Sequence, residues 1–242
     1  MEIDYRQLNN KNFTKHSLDD FIRHQKGQEC WRIVDNRWKL VPITFDENWT
    51  VAECREIAKD IASHIEKDQT AFGAFDGEKP VGFITISHNI FGNTAKYLEV
   101  VCFQVSEPYR GQGIGTILFR QACEEARRLG AEKLYISAHS SKETQAAYKA
   151  LGCVYAKEIN QRLVQEEPCD VQLEYSLRKD KTNTNIAVRL LVAAGVLMLL
   201  SGCIFGFTQQ WVYATLVWGG AFGCLVAALN FKKRKDKQNH DD

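Results

Sequence analysis

The chain has 242 residues, 31 Lys and Arg against 30 Asp and Glu, and a formal net charge of +1. So even a balance excludes the basic footprint of a nucleic-acid binder and the acidic tail of a solvating segment. The length suits one domain with a proper core plus an extension.

Met1 to Leu8 is predicted as a first strand, and Ser17 to His24, opening on a Ser cap, as a short helix. Cys30 to Phe45 (CWRIVDNRWKLVPITF) reads as a β-hairpin around Asp35-Asn36. Val51 to Lys67 is an amphipathic helix with Ile57, Ala58, Ile61, Ala62 and Ile65 on one face. Thr70 to Phe75 and Val81 to His88 are strands flanking the turn at Asp76 to Pro80. Tyr97 to Ser106 (YLEVVCFQVS) is a strand rich in β-branched and aromatic residues. Ile114, Ile117, Leu118, Ala122, Ala126 and Leu129 then recur at helical spacing, with Gly130 as a stop. A strand over Lys133 to Ala138 and a helix over Lys142 to Leu151 follow. Gly152 and Cys153 lead into another strand, and Cys169 to Leu177 is the last.

These elements assign residues 1–177 to one domain. The polar tract 178–185 is a linker reaching at most about 28 Å. Beyond it, Leu190 to Phe207 is an 18-residue run without a charge, and Trp211 to Phe231 gives 21 more. A hydrocarbon core of about 30 Å needs roughly 20 helical residues, so 186–207 and 211–231 are predicted as two transmembrane helices joined in a tight hairpin. Arg178, Lys179 and Lys181 precede the pair, and a basic tail, 232–242, follows with Lys232, Lys233, Arg234, Lys235 and Lys237. The positive-inside rule puts the domain and both termini in the cytoplasm, as a multi-pass protein of the cell membrane whose hairpin contacts lipid. Arg189 can snorkel to the inner interface, and Trp211 and Tyr213 sit near the outer one. Gly202/Gly206 and Gly219/Gly223 would permit close helix packing, including a homodimer, without establishing one. No charged segment followed by an apolar run opens the chain, so a signal peptide is not expected. The eight cysteines (30, 54, 102, 123, 153, 169, 203 and 224) are scattered, with no metal-ligand spacing, and are read as reduced thiols.

The chemistry concentrates in Arg110-Gly111-Gln112-Gly113-Ile114-Gly115, where a predicted strand turns into a helix. A helix start offers free N–H groups and the positive end of the macrodipole, and glycines let an anion approach closely. Arg110 adds a cation suited to phosphate oxygens. The P-loop reading fails because no Gly-Lys-Ser/Thr follows, and the dinucleotide fingerprint fails because the sixth residue from Gly111 is Thr116.

Arg/Gln-x-x-Gly-x-Gly/Ala at a strand-to-helix junction resembles the GNAT superfamily of N-acetyltransferases. The order of downstream elements agrees, as do Tyr148 and Gly152. Aligned on Tyr148, the chain departs from the family pattern with Ser141 for an Asn, Thr144 for an Ala, Ala147 for a Phe and Cys153 for the final Phe. The resemblance implies a mixed α/β GNAT fold ahead of the α-helical hairpin, and acetyl-CoA as acetyl donor without a metal. It implies binding of the donor through Val105, Arg110, Gly111, Gln112, Gly113, Ile114, Gly115, Thr116 and Ser141. Tyr148 would be the general acid that protonates the departing thiolate, and the N–H near Val105 would meet the oxyanion. Glu99, alternating in phase with Val101, Phe103 and Val105, is the candidate base, and His139 a second. Trp31, Trp38 and Trp49, with Asp46 and Glu47, could wall a pocket for a cationic amine, although such tryptophans also fill hairpin cores. The expectation is a membrane-tethered, acetyl-CoA-dependent N-acetyltransferase acting on an amine acceptor. The alternative is a non-catalytic acyl-CoA-binding sensor that signals to a membrane partner.

Overall fold

The computed structural model describes residues 2–178. The apolar runs at 190–207 and 211–231, their basic tail and Cys203 and Cys224 lie outside the described residues. No helix among the described residues is long and apolar enough to cross a membrane.

The chain begins with β1 (Ile3–Gln7), which pairs antiparallel with β4 (Gln69–Asp76). The helix expected over Ser17 to His24 does not form; residues 15–20 are a run of turns and 21–23 are irregular. Ser17 Oγ accepts from the Thr14 amide at 2.9 Å instead of capping a helix. Three apolar residues cannot nucleate one, and Leu18 and Phe21 are buried as a local plug. β2 (His24–Val34) and β3 (Arg37–Asn48) form a separate two-stranded hairpin. Asp35 and Asn36 turn it with φ of 54° and 59°, the left-handed pair that a tight hairpin requires. Helix α1 (Val51–His64) opens with a capping box between Thr50 and Glu53 and buries Cys54, Ala58 and Ile61.

The main sheet continues with β5 (Lys79–Ser87), β6 (Tyr97–Val105), β7 (Lys133–Ala138), β8 (Val154–Tyr155) and β9 (Val171–Ser176). Its order is β1-β4-β5-β6-β7-β9-β8, antiparallel except where β6 meets β7. That parallel step needs a crossover, supplied by α2 (Ile114–Arg128), whose Ile114, Leu118, Phe119 and Ala122 pack into one core. A second core joins Leu8, Phe13, Leu18 and Phe21 with α1, Phe75 and Phe83. Helix α3 (Lys142–Ala150) follows β7, and the short α4 (Gln161–Glu166), which no sequence pattern announces, precedes β9.

Two irregularities in β6 break the regular sheet. Thr85 pairs with Cys102 and Ile86 with Val100, which leaves Val101 as a bulge. β6 and β7 pair only over Tyr97↔Lys133, Leu98↔Leu134 and Glu99↔Tyr135. Past that point β6 stays with β5 and β7 stays with β9, so the two parallel strands part.

Candidate active site

The parting strands open a cleft of about 1200 Å³, lined by Val100 to Val105 from β6, by Ser137 to His139 at the end of β7, and by the start of α2. Arg110, Gly111, Gly113, Ile114, Gly115 and Thr116 form its mouth. Gly111 and Gly113 adopt φ of +74° and +82°, a conformation natural to glycine, and a Cβ built on either would meet nothing within 4 Å. Their freedom from side chains therefore leaves open space rather than allowing tight packing. Gly113 caps α2 with no side-chain hydrogen bond. Among the described residues no protein acceptor meets the amides of 111–116, which are donors suited to an anion. Gly115 differs: its Cβ would lie 3.3 Å from the Phe103 ring, so here glycine seats the helix against β6.

The Arg110 side chain is partly committed. Its Nε donates to the Val105 carbonyl at 2.9 Å and its Nη1 to the His24 carbonyl at 2.6 Å, tying β6 to the start of β2. Nη2 has no bond to the described residues and remains available at the mouth. Gln112 does not line the cleft; it bends back to the Pro108 carbonyl at 3.1 Å. Val105 lines the cleft, and its N–H faces it, since the next amide, Ser106, donates to Val81 on β5 at 2.9 Å and successive amides alternate.

Tyr148 projects from α3 into the same cleft, edge-on to Phe103 with ring centroids 6.2 Å apart. Burial pushes its phenol up from the ordinary value, and the nearby Cys153, Cys102 and Asp170 add to the rise. The hydroxyl therefore stays protonated at neutral pH, able to donate.

Besides Gln112, two expected site residues sit elsewhere. Glu99 is turned from the cleft and held by Arg162 of α4 at 2.6 Å. The bulge at Val101 explains the difference. Leu98 and Val100 face the α2 core before it, whereas Phe103 and Val105 face that core after it. The extra residue shifts the alternation by one, so Glu99 lies on the face opposite Phe103. Ser141 is fully buried beneath β2. Its hydroxyl caps α3 through the Thr144 amide at 3.2 Å and accepts from Gln25 at 2.9 Å, so its polar capacity is used internally.

The tryptophans pack against the scaffold, and none of them lines the cleft. Trp38 stacks on Tyr155 at 5.9 Å, Trp49 lies under the Arg23 guanidinium at 5.4 Å, and Trp31 packs against the main core. Asp46 pairs with His24 at 2.8 Å and Glu47 with Arg23 at 2.8 Å. His139 does line the cleft. Its Nδ1 accepts the Ser141 amide at 3.3 Å, which leaves the proton on Nε2, directed toward Glu47 at 3.8 Å. Burial lowers its basicity, and its one ring lone pair is already engaged by the Ser141 amide.

The structure adds one group with no local sequence signal. Asp170, just before β9, lines the cleft and pairs with no cation among the described residues. Among the described residues, no cluster of three or more His, Cys, Asp or Glu side chains is arranged to hold a metal ion.

Comparison with known proteins agrees with this geometry. The model of the acetyltransferase (GNAT) family matches residues 32–153. Nourseothricin acetyltransferase superposes with a TM-score of 0.55 at 16% identity, covering 74% of this chain and 100% of that one. A Bacillus anthracis str. Ames protein assigned as a streptothricin acetyltransferase, solved with acetyl coenzyme A, gives 0.54 at 16% identity over the same shares, 74% and 100%. At such identity the likeness is one of fold. No curated protein sequence matches the chain.

Proposed function

Because the chain belongs to the acetyltransferase (GNAT) family, we propose that it transfers the acetyl group of acetyl-CoA to an amine acceptor. The observation that carries this reading is the pairing, in one cleft, of a row of unbonded amides at 111–116 with the protonated phenol of Tyr148. The amides and the free Nη2 of Arg110 would hold the diphosphate, and the open space over Gly111 and Gly113 admits it. Bound acetyl-CoA supplies an activated thioester. Along the exposed edge of β6, the Val105 N–H would orient the carbonyl oxygen. Tyr148 would give its proton to the departing sulfur.

The remainder of the reading comes from sequence pattern. Residues 186–207 and 211–231 would anchor the domain as two spans, with the catalytic part and both termini on the cytoplasmic face. A C-terminal fusion should then fluoresce as a cytoplasmic reporter and show no activity as a periplasmic phosphatase; the reverse pattern overturns the topology.

Calorimetry on the full-length chain should detect acetyl-CoA binding. Thiol release should become amine-dependent with at least one of nourseothricin, spermidine, an aminoglycoside or a lysine-bearing peptide. Absence of binding would remove the transferase reading. Binding without amine-dependent release across the panel would favour a non-catalytic acyl-CoA sensor.

A further inference from the structure

We propose that Asp170 is the general base that takes the proton from the acceptor's ammonium group. This rests on the transferase reading above and deepens it by assigning the proton's route.

The argument begins with the two faces of the sheet. Ile136 and Ala138 of β7 and Val171 and Leu173 of β9 face the α2 core. Residues of the other parity, Ser137 and Asp170 among them, face the opposite side. Asp170 lies one residue beyond the Ala138↔Val171 pair, at the end of β7 where the strands part. Tyr148 enters from α3 against Phe103, whereas Asp170 stands across the sheet from it, yet both line one cleft. A thioester held in the gap would thus have a proton donor on one face and a carboxylate on the other. That separation lets the nitrogen arrive from one side while the sulfur departs toward the other.

The surroundings of Asp170 suit a base. The groups that act on it are Glu167 on its own loop, Ser137 on β7, Arg32 on β2 and Glu47 on β3, and its own charge acts on Tyr148 of α3. Its direct partner is the Ser137 hydroxyl at 3.4 Å, long for a hydrogen bond, and Ser137 in turn accepts from Gln172 at 2.9 Å. Glu99 is the contrast, with Arg162 clamped on it at 2.6 Å. Burial, reinforced by Glu167, raises the Asp170 carboxyl to about 6, close to working pH.

The step balances. The acceptor R–NH₃⁺ gives one proton to the Asp170 carboxylate, and the freed lone pair attacks the thioester carbon. The C–N bond forms, the C–S bond breaks, and the thiolate takes the Tyr148 proton. The nitrogen's second proton restores the phenol, and Asp170 releases its proton to water. The products are an amide, free CoA thiol and one proton.

The test uses the full-length chain carrying ¹³C-carboxyl aspartate, with the Asp170 signal identified by its loss in Asp170→Asn and, independently, in Asp170→Glu, which keeps a carboxylate in place. That signal should titrate near pH 6, and titration in the ordinary carboxylate range overturns the proposal even if the variant fails to fold. With an amine found by the panel, kcat/KM of the parent should fall tenfold per pH unit below that point. Asp170→Asn should lower kcat/KM at neutral pH by about 100-fold or more, abolish the inflection and leave acetyl-CoA affinity within about twofold. The deficit should shrink for the weakly basic amine of glycinamide relative to ethanolamine, because less deprotonation is needed. A variant within a few-fold of the parent, or an equal deficit for both amines, overturns the base alone. Failure of the parent to bind acetyl-CoA, or to acetylate any amine of the panel, removes the transferase reading and the base with it.

Discussion

The turn at 110–116 and the start of α3 under the β2–β3 hairpin are both polar helix entrances, and they are finished in opposite ways. At α3, Ser141 caps the helix, Gln25 reaches both Ser141 and Thr144, and Trp31 donates to the Ser140 carbonyl at 2.7 Å. At α2, Gly113 caps with no side chain at all and the amides of 111–116 meet no acceptor among the described residues. A folded chain ordinarily satisfies its polar groups internally or with water. The entrance left unsatisfied faces a cleft and suits a ligand, whereas the completed one is architecture.

The largest effect that would break this contrast belongs to Tyr148. Tyr148→Phe should lower kcat by about 10²–10⁴ while leaving acetyl-CoA affinity near that of the parent; retained turnover in a stopped-flow thiol assay would deny the phenol its role.

Asp170 gives the next test, on stability. Its folded value of about 6 lies above the 3.8 of an ordinary aspartate, so the folded form holds the proton more tightly. The resulting stabilisation is fully present below the unfolded value and is lost as pH rises through the folded one. At pH 8 the half-buried carboxylate therefore strains the fold, and, because solvent screens part of the effect, Asp170→Asn should stabilise it by on the order of 1 kcal/mol. Urea melts of parent and variant should draw together at pH 4. A variant destabilised at both pH values would mean that the carboxylate supports structure.

Gly113→Ala addresses the open entrance directly. Forcing a Cβ onto a φ of +82° should destabilise by about 1–2 kcal/mol and, by distorting the amide row, weaken acetyl-CoA binding in calorimetry. Ser141→Ala sharpens the other side. It should remove about 1 kcal/mol of helix capping from a thermal melt and leave acetyl-CoA affinity unchanged. A selective loss of affinity would return Ser141 to the donor site.

Local pattern carries far in this chain. Strand Lys133 to Ala138 is legible to the residue because β-branched and aromatic residues lie between clear breakers. The start of α2 at Ile114 is marked by glycine followed by a 3.6-residue apolar period. Pattern fails where a feature one residue long matters. The bulge at Val101 has no sequence signature, so strict alternation carries Glu99 onto the wrong face. It fails again at Ser17 to Asp20, where polar side chains bond the nearby backbone more readily than a short helix forms.

The sequence by itself determined most of the order of strands and helices, the family resemblance and the position of the glycine turn, because each follows from periodicity and glycine placement within a few residues. The tertiary structure alone decided which charged groups share the cleft. Asp170 meets Ser137 and shares the cleft with Tyr148 only because the chain, after passing through α3, β8 and α4, returns to lay β9 beside β7. That long-range choice is made by the hydrogen-bonding register between strands, and no local signal announces it.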